Sequence, residues 1–164
     1  MMSIRTYGDS VLRRTAEPVE TIDSEIRAIC QQMVEAMIRA DGVGLAAPQI
    51  GVSKRIIVLD VDGDFHVLIN PELVDTSDET DTFTEGCLSV PGVQADVSRS
   101  ARATITGTAL DGTPIEITGE GILARAIQHE IDHLNGHLFV DHLSPVRRQS
   151  LLKEYGRKRR EEQD

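Results

Sequence analysis

The chain has 164 residues, a formal net charge of −10 and 3% aromatic residues, with no tryptophan. This length predicts a single domain, residues 1–164, whose aliphatic core is large enough to fold without disulfides or a structural metal. The acidic balance argues against a protein that coats nucleic acid, and no apolar run approaches the ~18 residues that a membrane span needs. Because the N-terminus lacks an apolar signal segment, a cytoplasmic protein is expected.

The first predicted helix follows an irregular stretch, residues 1–22. Asp23 or Ser24 can cap it, and it runs to about Ala40. Its apolar residues recur at spacings of three and four, which indicates one buried face. Cys30 lies on that face, so we expect it to be a small core residue rather than a functional thiol.

A glycine-rich segment comes next, with the sequence Gly42-Val43-Gly44-Leu45-Ala46-Ala47-Pro48-Gln49-Ile50-Gly51. One interpretation is a connecting loop. The other is a backbone stretch that a ligand approaches closely, because small residues leave main-chain groups exposed. A dinucleotide-binding loop is rejected, since the third glycine and the preceding strand of that fingerprint are missing.

Several short strands are predicted in the middle of the chain. Strands at 55–61 and 65–69 form a hairpin, because Asp62-Gly63 is a turn pair. The acidic segment 71–84 is expected to be an exposed loop with a short strand. Further strands are predicted at 93–97, 101–110 and 113–118. This order of elements predicts an α+β fold in which mostly antiparallel strands pack around a central helix, with N-terminal and C-terminal helices.

That central helix contains the pattern His-Glu-x-x-His, at His129, Glu130 and His133. Positions i and i+4 share a helix face, so both imidazoles can bind one divalent metal while Glu130 flanks it as a base. Apolar residues at helical spacing, and Gly136 at the position of a C-cap glycine, predict a helix that ends just after His133. The alternative interpretation is a surface helix with two unrelated histidines.

A catalytic metal site needs a third protein ligand. One metalloprotease family extends the motif as His-Glu-x-x-His-x-x-Gly-x-x-His, but the last position here is Phe139, which cannot bind metal. Cys87 is the best remaining candidate, because it lies in a glycine-flanked turn and its thiolate is a good ligand for zinc or ferrous iron.

Three segments together resemble the peptide deformylase family. The family's motifs Gly-x-Gly-x-Ala-Ala-x-Gln, Glu-Gly-Cys-x-Ser and Gln-His-Glu-x-x-His stand intact at residues 42–49, 85–89 and 128–133. The resemblance implies removal of the N-terminal formyl group, as formate, from nascent polypeptides that begin with formyl-methionine. It also implies one divalent metal ion held by Cys87, His129 and His133, with Fe²⁺ expected in the cell and Zn²⁺, Ni²⁺ or Co²⁺ as substitutes.

The same resemblance implies roles for further residues. Glu130 takes a proton from a water that the metal acidifies, the hydroxide attacks the formyl carbon, and Glu130 passes the proton to the leaving amine. The metal, the Gln49 side-chain amide and the Leu88 backbone N–H stabilise the charge on the formyl oxygen. A buried ion pair between Glu85 and Arg99 holds the Cys87 loop.

A substrate cleft is implied as well. The peptide adds as a β-strand beside exposed backbone at Val43, Gly44 and Gly86. The methionine side chain enters an apolar pocket, where the aliphatic stem of Arg125 packs in the wall while its head reaches water. The pocket positions are Val43, Phe83, Ile122, Arg125 and Ala126.

The last predicted helix runs from Val146 toward the end of the chain and concentrates basic residues in an otherwise acidic sequence. They are Arg147, Arg148, Lys153, Arg157, Lys158, Arg159 and Arg160. One interpretation is a solvated helix. The other is a basic helix that docks on ribosomal RNA, where the substrate emerges. A monomer is expected.

Two rival functions remain open from the sequence. A zinc endopeptidase would need a cleft for chain on both sides of the scissile bond, and its usual downstream third ligand is absent. A non-enzymatic protein with a structural metal would need a fourth protein ligand, and the sequence offers no evident one.

Overall fold

The structure, a computed structural model, describes residues 2–163. The helices are α1 (Ser24–Arg39), α2 (Gly121–Leu134) and α3 (Pro145–Gln163), and short 3-10 turns cover Ser10–Arg13, Ala47–Ile50 and Phe139–His142. The strands are β1 (Gly44–Ala46), β2 (Ile56–Val61), β3 (Asp64–Thr76), β4 (Thr80–Cys87), β5 (Val90–Ser100), β6 (Arg102–Thr108) and β7 (Pro114–Glu120). None of the helices formed by the described residues is long and apolar enough to cross a membrane.

The strands form two antiparallel sheets. The larger has the order β1-β2-β3-β6-β7, and β4 and β5 form a separate two-stranded sheet. Strand β2 is buried on both faces: Ile57 and Leu59 pack in the cluster that contains α2, whereas Ile56 and Val58 pack in the cluster that contains α1. The larger sheet therefore lies between α1 and α2, and the predicted α+β fold is confirmed.

Helix α2 is held at its C-terminal end by the rest of the molecule. The Leu134 carbonyl accepts hydrogen bonds from the Ala16 backbone N–H, at 2.8 Å, and from the Arg55 guanidinium, at 3.0 Å. Gly136 follows with φ +79°, and a Cβ there would lie 2.6 Å from the Arg13 carbonyl oxygen. Only glycine satisfies both conditions without strain, so this predicted helix end is confirmed.

A third core cluster joins the β4–β5 hairpin to the C-terminal part of the chain. Leu151 and Tyr155 of α3 are buried in it together with Val93, Val97 and Phe139. Burying each such side chain contributes about 1.5–3 kcal/mol. The hairpin that carries Cys87 is therefore supported by packing from α3 as well as by its own backbone hydrogen bonds.

Three sequence predictions of local structure need correction. The segment 71–84 is not mainly a loop, because β3 continues to Thr76 and β4 begins at Thr80. Pro71 is tolerated in β3 because the pairing with β6 shifts register between Ile69 and Glu72, where a backbone donor is not needed. The glycine-rich segment forms strand β1 and a 3-10 turn, and residues 1–22 contain the turn at Ser10–Arg13.

Candidate metal centre

The three predicted ligands meet between the β4–β5 hairpin and α2. Cys87 is the last residue of β4, and Leu88 and Ser89 form the turn that leads to β5. His129 and His133 project from the same face of α2. One donor atom from each of these three ligands lies within 4.8 Å of the other two.

The distances among these donors fit one metal ion. The Cys87 Sγ lies 3.3 Å from His133 Nε2, and the two histidine Nε2 atoms are 3.3 Å apart. Bonds of about 2.0–2.3 Å in a tetrahedral arrangement put neighbouring ligands about 3.3–3.6 Å apart. Among residues 2–163 the cluster contains no fourth His, Cys, Asp or Glu. Three ligands leave a position for water or substrate, as in catalytic rather than structural sites.

Charge among Cys87, His129 and His133 favours the ligand form of the cysteine. Burial raises the pKa of Cys87, but the imidazoles of His133 and His129 outweigh burial and hold that pKa well below its ordinary value. Burial lowers the pKa of His129, yet Cys87 and Glu85 raise it well above the ordinary value. The thiolate is the form of cysteine that binds metal.

The two cysteines are expected to differ sharply in reactivity. Burial raises the pKa of Cys30 to about 11, and its side chain is buried in the α1 core cluster. After metal removal with a chelator, a thiol reagent near neutral pH should label one cysteine, Cys87, and reach Cys30 only on unfolding. Mass spectrometry of labelled peptides measures this. Cys87→Ser is the matched control, and rapid labelling of folded Cys87→Ser would contradict the assignment.

Glu85 supports the first histidine ligand. Its Oε2 lies 2.7 Å from His129 Nδ1, and Arg99 donates to both of its oxygens at 2.8 and 2.7 Å. Burial raises the pKa of Glu85, but Arg99 and His129 outweigh it and lower the pKa far below its usual range. Since a carboxylate only accepts, His129 Nδ1 carries the hydrogen and Nε2 is left for the metal.

The predicted surroundings of Arg125 are corrected by the structure. Its guanidinium turns inward instead of extending into solvent: Nη1 donates to Glu85 Oε1 at 2.9 Å and to the Val97 carbonyl at 2.9 Å. Nη2 donates to the Asp81 carbonyl at 2.9 Å, and the side chain is 13% exposed. Three acceptors held by the β4–β5 hairpin explain why the head turns inward.

Glu130 lies beside the cluster without binding to it. The residue is 4% exposed, and its Oε1 has no hydrogen-bond partner in the described part of the chain. Burial raises its pKa above the ordinary value. A Cβ on Gly44 would lie 2.5 Å from Glu130 Oε2, so the carboxylate packs directly against the Gly44 backbone. An orphaned buried oxygen of this kind fits a water or substrate atom supplied from the metal site.

Gln49 faces the cluster in a fixed orientation. Its Oε1 accepts from the Ala46 N–H at 3.0 Å, so its Nε2 is the atom that faces Cys87 Sγ, at 3.7 Å. Nε2 also donates to Ser89 Oγ at 3.1 Å. One amide hydrogen therefore remains directed toward the metal site. The Leu88 side chain packs close to Gly42.

The residues predicted to line the substrate cleft divide into two groups. Val43, Phe83 and Ile122 expose 49%, 57% and 61% of their surface, which is high for large apolar side chains. Gly86 is also exposed, whereas Gly44 and Ala126 are buried. Large apolar side chains that are exposed in this way are typical of a binding surface.

Three residues that contact the predicted site residues were not predicted from the sequence. Ser89 fixes Gln49, and Asp132 accepts from Arg99 at 2.9 Å and contacts His142 at 2.8 Å. Phe139, excluded as a ligand, stacks on His129 with ring centroids 6.5 Å apart. Ser89 and Asp132 lie inside the quoted motifs, which was the available signal, whereas no local pattern indicates the ring contact of Phe139.

Comparison with known proteins agrees with this geometry. The family model for polypeptide deformylase matches residues 1–149. The peptide deformylase of Chromohalobacter salexigens is 45% identical over 166 residues, covering 99% of this chain and 98% of the relative. That of Halothermothrix orenii is 51% identical over 143 residues, covering 86% of this chain and 92% of the relative.

Solved structures agree as well. A peptide deformylase from Legionella pneumophila superposes with a TM-score of 0.94 at 45% identity, covering 99% of this chain and 97% of that one. One from Synechococcus elongatus, in complex with actinonin, gives a TM-score of 0.90 at 42% identity, covering 94% and 86%.

The fold and the three-ligand cluster define a metal-dependent hydrolase built on a His-Glu-x-x-His helix. The chain belongs to the peptide deformylase family. The predicted family, enzyme class and metal dependence are therefore confirmed, and neither rival function is supported.

Proposed function

We propose that this chain removes the formyl group from the N-terminal formyl-methionine of nascent polypeptides and releases formate. Family membership supports the activity, and the Cys87, His129 and His133 cluster is the observation that carries it. A divalent metal bound there supplies Lewis acidity to the formyl oxygen and lowers the pKa of a water. Fe²⁺ is the proposed cellular ion, and Zn²⁺, Ni²⁺ and Co²⁺ suit the same sulfur and nitrogen donors.

Glu130 is proposed as the general base and acid of the reaction. Its raised pKa brings the carboxyl closer to neutral pH, where a group can both accept and return a proton. It takes the proton of the attacking water and delivers it to the leaving amine. Gln49 and the Leu88 N–H donate to the formyl oxygen as charge develops there. The fixed orientation of Gln49 supports this role, since no reorganisation is needed during reaction.

The substrate is proposed to enter along the edge of β1. Strand β1 pairs only with β2 within the described sheet, so its second edge can hydrogen-bond an added strand. Backbone at Val43, Gly44 and Gly86 would receive the peptide. The methionine side chain would pack among Val43, Phe83, Ile122, Ala126 and the stem of Arg125.

The decisive experiment measures metal content and turnover together under anaerobic conditions. We expect one divalent ion per chain, release of formate from a formyl-Met peptide, and no cleavage of the unformylated peptide. Loss of activity on chelation should be reversed by adding Fe²⁺ or Zn²⁺. Cleavage of internal peptide bonds, or full activity after metal removal, would overturn the proposal.

We further propose a cytoplasmic monomer that meets its substrate at the ribosome through α3. Four cations of α3 already contact acceptors on the protein: Arg147, Arg157, Lys158 and Arg159. Arg148, Lys153 and Arg160 are exposed and would be available to phosphates. Truncation of α3 is a poor test, because it would uncover the core contacts of Leu151 and Tyr155.

Neutralising the exposed cations of α3 is expected to weaken ribosome binding without unfolding. The triple variant Arg148→Gln, Lys153→Gln and Arg160→Gln should flatten the dependence of log K on log salt by about 0.7–0.9 per lost phosphate contact. Sedimentation with ribosomes at several salt concentrations measures this. The triple variant of Arg14, Arg27 and Arg102, also to Gln, is the charge-matched control. Equal slopes for both variants would remove α3 from the interface.

A further inference from the structure

Arg125 connects α2 to both strands of the hairpin that carries Cys87. It lies one helical turn before His129, on the same face. Its guanidinium donates to the Asp81 carbonyl of β4, the Val97 carbonyl of β5 and the Glu85 carboxylate, each at 2.9 Å. These three bonds set the distance between the helix that supplies two metal ligands and the hairpin that supplies the third.

Arg125 and Arg99 reach Glu85 from different directions. Arg99 is 5% exposed and also donates to Asp132, at 2.9 Å. Arg125 lies under the ring of Phe83, whose centroid is 5.6 Å from the guanidinium carbon. Phe83 and Ile122 are both largely exposed. The guanidinium of Arg125 therefore contacts both the Glu85 carboxylate and an exposed aromatic ring.

We propose that Arg125 is a positioning residue that couples the side-chain pocket of the substrate to the metal ligand His129 through Glu85. The inference rests on the proposed function, because it takes that pocket to hold the first side chain of a formyl peptide. An apolar side chain packed beside Phe83 and Ile122 removes water from the pair of Arg125 and Glu85. Charge-assisted hydrogen bonds strengthen in drier surroundings, so Glu85 holds His129 more firmly.

Two consequences follow from this coupling. Removing the Arg125 guanidinium should weaken metal binding, since groups that orient a ligand from behind typically affect affinity by 10- to 100-fold, roughly. It should also change how the enzyme uses a large first side chain. Binding energy that improves the arrangement of the reacting groups appears in kcat, whereas simple wall contact appears in KM.

The first test measures metal affinity without any reaction. The Kd for Zn²⁺ is determined by competition with a chromogenic chelator for the wild type, Arg125→Met, Arg125→Lys and Arg27→Met. Arg27 is the matched control, because its guanidinium donates to a backbone carbonyl, that of Leu110, whereas Arg125 donates to Glu85, the carboxylate that holds His129. We expect the Kd of Arg125→Met to rise about 10- to 100-fold, that of Arg125→Lys to rise less, and that of Arg27→Met to stay within about twofold. An unchanged Kd in Arg125→Met would overturn the proposal.

The second test compares formyl-Met-Ala with formyl-Gly-Ala, which has no first side chain. In the wild type we expect a higher kcat for the methionine peptide, and in Arg125→Met a kcat ratio close to one. A rise in KM alone, with the wild-type kcat ratio and Zn²⁺ affinity, would reduce Arg125 to a pocket wall and overturn the coupling. If Arg125→Met does not fold, Arg125→Lys carries both measurements with intermediate values expected. If the wild type turns over neither peptide, the proposed function fails, while the Zn²⁺ competition still decides on Arg125.

Discussion

Glu130→Gln is expected to lower kcat for a formyl-Met peptide by about 100- to 10,000-fold while metal content stays at the wild-type level. The amide has nearly the shape of the carboxylate, so the buried space beside Gly44 remains filled. It cannot accept a proton, however, and the orphaned Oε1 position loses its basic oxygen. KM should change little, because Glu130 acts on the reacting atoms rather than on the bound peptide.

Two further variants test whether the loss of kcat is specific to the Glu130 carboxylate. Glu116→Gln removes a carboxylate from the exposed side of β7 and should keep wild-type kinetics. Glu130→Ala should also retain metal, because Cys87, His129 and His133 form the cluster without it. Turnover above a tenth of the wild-type value in both Glu130 variants, or loss of metal from Glu130→Gln, would remove Glu130 from the role of base.

The sequence was most informative where function depends on local geometry. The spacing of His129 and His133 is a helix spacing, and Gly136 marks the helix end through a conformation that other residues adopt only with strain. Nothing beyond the helix period was needed to predict that both imidazoles share a face. The third ligand, Cys87, followed from the exclusion of Phe139 and from the family motifs, because no local rule relates residues so far apart.

The sequence was least informative for β3 and β4. The segment 71–84 carries Pro71 and several acidic residues and lacks an alternating apolar pattern, so it resembles a loop. The structure makes most of it strand because backbone pairing with β6 and β5 determines the conformation. Most of these side chains are exposed, so no periodic burial signal exists in the sequence.

The inward turn of Arg125 was missed for a related reason. A guanidinium near an apolar pocket is expected to reach water unless buried acceptors are available. Those acceptors are Glu85 and two carbonyls of the β4–β5 hairpin, all distant in sequence. One clue was present: Arg125 lies four residues before His129, on the face where Glu85 had to sit if it supported that ligand.

Arg99→Met is expected to destabilise the protein and loosen its metal together. The substitution leaves Glu85, 7% exposed, with one of its three guanidinium hydrogen bonds, and it also removes the Arg99 partner of Asp132. Removing one partner of a buried ion pair costs about 3–5 kcal/mol. For a chain of this length that cost lowers Tm by on the order of 10 °C. Metal affinity should fall by roughly 10- to 100-fold, because Glu85 holds Nδ1 of His129.

A double-mutant cycle separates the effect of Arg99 on stability from its effect on metal affinity. Adding Glu85→Gln to Arg99→Met removes the uncompensated charge, so part of the lost stability should return. Metal affinity should not return, since a neutral amide orients His129 less strongly than a carboxylate. Arg157→Ala, which breaks an exposed pair with Glu161, is the stability control and should cost at most about 0.5 kcal/mol. Thermal unfolding of the metal-free proteins and Zn²⁺ competition supply the measurements. If Arg99→Met keeps its stability and its Zn²⁺ affinity, Arg125 alone holds the Glu85 carboxylate adequately. If stability and Zn²⁺ affinity both recover in the double variant, Glu85 contributes charge balance rather than orientation of His129.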